Sequence, residues 1–166
     1  MNDRDLMEHA LAQARQGLEQ GAMPIGAVLA HQGQILAEAH WQGAYRGLLH
    51  HPEHTVLMTA DASITFTTRR ESTLYTTLEP CLMCMGTAMA FFLGRIVYAM
   101  AAPADGAANV AEQWHPAHGH PASAGPYSLP QIEGGLGEAE ARALVVSWLE
   151  TGVTGAEADF ARRTLA

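Results

Sequence analysis

The chain contains no lysine. All nine basic residues are arginine, set against seventeen acidic ones, and the net charge is −8. No arginine cluster exceeds a pair, Arg69-Arg70 and Arg162-Arg163. Neutralising phosphate supplies most nucleic-acid affinity, so this composition argues against a nucleic-acid partner. The field of such a chain favours neutral or cationic small molecules. Cysteine is nearly absent too. The two present allow at most one disulfide, and their C-x-x-C spacing with a histidine upstream favours metal or redox use. No stretch approaches a membrane span. The first residues, Met1-Asn2-Asp3-Arg4-Asp5, lack the basic segment and apolar run of a signal peptide, so the expectation is a cytoplasmic protein with no membrane contact. There is no internal repeat.

What is present is a core-forming composition. Apolar residues make up 48% of 166 positions and charged ones 16%, which fits one folded domain over 1–166, with a core at about 5–150 and a tail at 151–166. Leu6, Ala10, Leu11, Ala14 and Leu18 recur at helical spacing, predicting a helix over 3–20 that Gly21 ends. A turn at Met23-Pro24 leads to a hairpin of strands 25–30 and 34–39 around Gln32-Gly33. Residues 41–50 read as a loop, 52–62 as a short helix, 73–78 as a strand, 80–93 as a helix stopped by Gly94, and 95–100 as a strand. Beyond 100 the pattern weakens, with helix around 110–114 and a last strand at 129–132. A helix at 137–150 and a short one at 155–165 follow. Helices alternating with strands predict a three-layer α/β sandwich around a mixed sheet.

Two phrases carry chemistry. Glu79-Pro80-Cys81-Leu82-Met83-Cys84 holds both cysteines, and His51-Pro52-Glu53 lies upstream. If Pro80 opens a helix, Cys81 and Cys84 fall in its first turn on one face. Unpaired N–H groups and the helix dipole there favour thiolates, the form that Zn²⁺ binds. His51 precedes a proline suited to the first helical position, so it reads as an N-cap with Glu53 just inside the helix. Three ligands, His51, Cys81 and Cys84, would hold one zinc and leave a fourth position open, with Glu53 beside them to move protons. The phrases together spell H-x-E…P-C-x-x-C, the arrangement of zinc-dependent nucleobase deaminases.

Over roughly residues 5–150 the chain resembles the cytidine-deaminase-like superfamily, and within it the branch of tRNA adenosine deaminases and guanine deaminases. The resemblance rests on Met23-Pro24-Ile25-Gly26-Ala27-Val28-Leu29, on His51-Pro52-Glu53 and on Leu74 through Cys84. Gly94-Arg95-Ile96-Val97-Tyr98 and Gly134-Gly135-Leu136 extend it. It implies a five-stranded mixed sheet between helices (an α/β/α sandwich), one catalytic zinc per chain, and a homodimer. It also makes Glu53 the catalytic proton shuttle; Glu79 reads either as support behind the metal ligands or as a structural carboxylate that satisfies nearby backbone N–H groups.

Three departures mark this chain. Pro52 stands where relatives carry alanine or valine, and it has no N–H to offer a substrate. Trp41 stands nearest a position where relatives carry asparagine; an indole stacks on a ring but cannot copy an amide's hydrogen bonds. The basic C-terminal tail of tRNA-editing members is missing. All three favour a small substrate: a nucleobase, nucleoside or related metabolite, with guanine- or cytosine-type rings leading. Ile25, Trp41, Pro52, Pro80 and His115 are the expected substrate contacts. The loop His115-Pro116-Ala117-His118-Gly119-His120 reads either as a solvated loop or as a pocket cover. tRNA editing, and a non-catalytic binding protein stabilised by zinc, stay open as alternatives.

Overall fold

Helix α1 (Asp3–Glu19) starts at a reciprocal cap. Asn2 accepts from the Asp5 N–H, and Asp5 accepts from the Asn2 N–H, each at 3.0 Å. Strands β1 (Gly26–His31) and β2 (Gln34–His40) then form the expected hairpin. After a short turn of 3₁₀ helix come α2 (Pro52–Asp61), α3 (Phe66–Glu71), β3 (Ser72–Leu78), α4 (Leu82–Phe91), β4 (Arg95–Met100) and α5 (Ala108–Gln113). The chain ends with β5 (Gln131–Gly134), α6 (Glu138–Glu150) and α7 (Ala156–Leu165). This computed structural model describes residues 1–114 and 127–166. No helix among the described residues is long and apolar enough to cross a membrane.

The five strands form one mixed sheet in the order β2-β1-β3-β4-β5. β1 is antiparallel to β2 and β3, while β3, β4 and β5 run parallel. Strand alternation divides the core in two. Val28, Tyr75 and Val97 face α1, α6 and α7, where Leu6, Met7, Val145 and Trp148 pack against them. Leu29, Leu74 and Ile96 face α2 and α4, where Val56, Leu57, Met85 and Ala88 meet them. The architecture is the expected α/β/α sandwich.

Several boundaries differ from expectation. Pro80 does not open α4: Cys81 is the N-cap, and the helix runs from Leu82. Gly94 does not stop it either, because Phe92 ends it in the left-handed region at φ 62. Gly94 serves a close approach instead, since a Cβ there would overlap the Arg70 carbonyl oxygen. The last strand sits two residues later than expected, at Gln131–Gly134. Helix α3 has no counterpart in the sequence pattern, for it buries none of its residues and so shows no apolar periodicity.

One polar cluster ties the amino-terminal helix to the sheet. Arg95 donates to both Asp3 oxygens (3.1 and 2.8 Å) and to both Glu133 oxygens (3.0 and 2.8 Å). The Tyr75 hydroxyl donates to Asp3 at 2.6 Å. Arg95 holds the Asp3 carboxyl below its ordinary value, while burial and the bond to Asp3 push the Tyr75 phenol up to about 12. All of the charges are partly solvated, so Arg95→Met is expected to destabilise by about 1–2 kcal/mol in urea unfolding, and less in high salt. Because the Asp3 value is depressed, its share is present above the ordinary carboxylate value and is lost as pH falls through the folded one.

Candidate metal centre and substrate cavity

His51 and Cys81 occupy equivalent places, each the extended residue before a helix, and neither side chain is spent on capping. Pro52 supplies the first helical position of α2 without needing a hydrogen bond. Cys84 lies one turn into α4, so its sulfur returns to the end that carries Cys81. Both Sγ atoms stand 3.6 Å from His51 Nδ1, and the three donor atoms lie within 4.8 Å of one another.

These distances fit zinc. Bonds of about 2.3 Å to sulfur and about 2.0–2.1 Å to nitrogen, at a tetrahedral angle, place S and N about 3.6 Å apart. Two sulfurs and an imidazole suit a borderline-soft ion. The thiols themselves are unequal. The hydrogen bond from Cys84 holds Cys81 down at about 4, with burial opposing, while that same bond and burial push Cys84 up. A divalent cation would replace the remaining proton.

Glu53 converges on this cluster without belonging to the three-donor set. It is 3% exposed. Oε1 accepts from the Thr76 hydroxyl at 2.9 Å, and Oε2 stands 3.7 Å from Cys84 Sγ. Thr76 shares the sheet face of Leu74, two residues earlier, which is why it reaches α2. Burial pushes the Glu53 carboxyl up; its own backbone N–H, His51 and Thr76 pull the other way. Glu79 has the structural role expected of it. Its oxygens accept from the Ala102 and Ala108 N–H groups at 3.0 and 3.1 Å. Gly106 makes room for it, since a Cβ there would overlap the carboxyl group.

A cavity of about 320 Å³ opens over His51, Glu53 and Cys81. Ile25, Trp41 and Pro52 line it. The Trp41 ring meets the His51 ring edge-on, with centroids 5.3 Å apart and planes at 78°. Pro80 is not brought to this cavity; its carbonyl accepts from the Ala107 N–H at 3.0 Å. His115 and the rest of the 115–120 loop lie outside the described residues. The cavity also gathers residues that no motif announces: Asp105 from the turn after β4, and Glu157 and Phe160 from α7. The only signal for α7 in the sequence is its amphipathic spacing, which buries Ala158 and Ala161 against the core.

Comparisons with known proteins fit this geometry. The family described as the cytidine and deoxycytidylate deaminase zinc-binding region matches residues 1–100. A tRNA-specific adenosine deaminase of Bacillus subtilis (strain 168) is 33% identical over 105 residues, which cover 63% of this chain and 65% of that protein. The chain spans less than two thirds of the length of the curated relatives it matches. A solved structure from work on A-to-I editing by tRNA:A34 deaminases at the wobble position of transfer RNA shares 30% identity at a TM-score of 0.65, over 84% of this chain and 98% of that one. A guanine deaminase from Bacillus subtilis shares 26% identity at a TM-score of 0.55, over 72% and 81% of the two chains.

Proposed function

This chain belongs to the cytidine and deoxycytidylate deaminase zinc-binding family, and on that premise we propose that it is a zinc-dependent hydrolytic deaminase. It removes an exocyclic amine, as ammonia, from a small nucleobase, nucleoside or related heteroaromatic metabolite, with guanine- and cytosine-type rings first. The observation that carries this reading is Glu53, a buried carboxylate 3.7 Å from a metal-ligand sulfur and outside the ligand set. A purely structural site has no use for such a group, which argues against a non-catalytic zinc protein.

His51, Cys81 and Cys84 would hold the zinc. Bound there, it supplies Lewis acidity that brings the pKa of water toward about 7. Glu53 does the proton work. It takes a proton from the attacking water and delivers it to a ring nitrogen as the C–O bond forms. It then takes the proton of the new C–OH group and passes it to the amine, so that the C–N bond breaks, a C=O bond forms and ammonia leaves. Thr76 fixes the carboxylate for both transfers. Trp41, Ile25 and Pro52 form apolar walls for a flat ring, and Pro52 offers it no N–H.

A second reading is tRNA adenosine deamination, favoured by the names of the relatives. Those names lend no support to the expectation from charge that nucleic acid is not a partner. Ammonia release separates the two. The purified protein is expected to act on at least one member of a panel of aminated purines, pyrimidines, pterins and triazines, and not on a tRNA anticodon stem-loop. Turnover of the stem-loop alone would establish the second reading.

The protein is also proposed to be a cytoplasmic homodimer. Helix α4 is apolar on nearly every side, yet Leu82 is 66% exposed, and Met58 on α2 and Val110 on α5 flank it in the open. A second copy would cover this face. Light scattering is expected to read twice the 17.7 kDa of one chain, and Met58→Asp to return it to the monomer value.

A further inference from the structure

We infer that Glu157 and Asp105 determine specificity at the rim of the cavity, restricting it to rings that carry no phosphate or other anionic group. This deepens the reading above and rests on it: the cavity must first be one that takes an amino-substituted ring.

Among the described residues the cavity wall contains four carboxylates, Glu53, Glu79, Asp105 and Glu157, and no arginine. Two have work elsewhere. Glu53 sits beside the metal ligands, and Glu79 is held by backbone N–H groups. The other two, Asp105 exposed and Glu157 half-buried, come from separate parts of the fold, the turn after β4 and the first turn of α7. Glu157 is fixed in place. Its Oε1 accepts from the N–H of Ala44, another lining residue, at 3.0 Å, so α7 is tied to the loop that follows β2. That bond leaves Oε2 free to accept from a ligand N–H. Asp105 has no side-chain hydrogen-bond partner among the described residues. Phe160, three residues after Glu157, lies on the same helix face and adds an apolar surface to the same wall.

An anion entering this mouth meets two like charges, one of them held by the Ala44 N–H, and no arginine among the described residues that line the cavity. Each carboxylate repels a unit negative charge through a medium between water and protein in polarity, which disfavours an anion several-fold in binding. Two together give a discrimination of about tenfold or more, and salt weakens it because the Debye length is about 8 Å at physiological strength. A neutral ring with a second amine or ring N–H meets no such penalty, and Glu157 Oε2 is placed to accept from it.

The test pairs whichever panel compound is turned over with its own phosphorylated or carboxylated derivative. The wild-type protein is expected to favour the uncharged member by about tenfold or more in kcat/KM, the ratio shrinking as salt is raised. In the double variant Asp105→Asn, Glu157→Gln the ratio should fall toward one, mainly through KM for the anionic member. Inhibition constants of the anionic compound as a competitor should move in parallel. Equal kcat/KM for the two members, a ratio untouched in the double variant, or turnover of a tRNA stem-loop would each overturn the inference while leaving deamination standing. If no panel compound and no stem-loop releases ammonia, the functional reading fails first and takes this one with it.

Discussion

Glu53→Gln is expected to cut ammonia release by about 10²–10⁴-fold, the range a positioned general acid–base supplies, with the zinc content unchanged. Glutamine has the shape of glutamate, and its amide oxygen can still accept the Thr76 hydroxyl bond that Glu53 accepts at 2.9 Å. What it cannot do is take up a proton and give it back. Little solvent reaches the carboxylate itself, since Glu53 is 3% exposed at the floor of the cavity and Thr76 is buried. Bulk water is therefore a poor substitute for the missing base. Thermal stability should hold or rise, because the substitution removes a buried charge that burial already disfavours. Ammonia assay, metal analysis and a melting curve together check this. Loss of zinc along with activity would mean that Glu53 supports the metal ligands instead of moving protons. Full activity would remove it from the mechanism.

The site divides by how far its residues depend on tertiary structure. His51, Pro52, Glu53, Cys81 and Cys84 were legible because two helix starts display them, and a helix start is a local event that neighbouring residues specify. One detail went the other way. Pro80 fits the first position of a helix as well as Pro52 does, yet α4 begins two residues later, with Cys81 as its cap. Thr76 was not legible, because its function depends on which face of β3 meets α2. Asp105, Glu157 and Phe160 come from segments with no chemical motif, the first brought in by the turn after β4 and the other two by the packing of α7 on the core. The fold follows the same division. The buried strands β1 and β4 betray themselves by apolar runs and β3 by its Thr, Tyr and Leu content, whereas β5 is a largely exposed edge strand whose sequence left its start two residues off.

Cys84→Ser is expected to reduce bound zinc to a small fraction of one per chain and to abolish ammonia release while the fold persists. A serine hydroxyl does not ionise near neutral pH, and its shorter side chain withdraws the donor atom that now stands 3.6 Å from His51 Nδ1. Two ligands then remain, too few for a site of this kind. The fold should survive because the ligands lie at the starts of α2 and α4, outside the two apolar clusters that hold the layers together. The lost metal still lowers apparent stability. A ligand at about a hundred times its Kd contributes about 2.7 kcal/mol, and about 2–4 °C of melting temperature follows each kcal/mol in a domain of this size. Wild-type protein stripped by a chelator should melt where the variant melts, and the variant should ignore the chelator. The comparison also separates the catalytic reading from its structural rival. Stripped protein that keeps its circular dichroism and regains turnover when zinc returns has a metal used for chemistry. Stripped protein that unfolds has a metal used for folding, and the proposal of a hydrolytic deaminase would then rest on Glu53 alone.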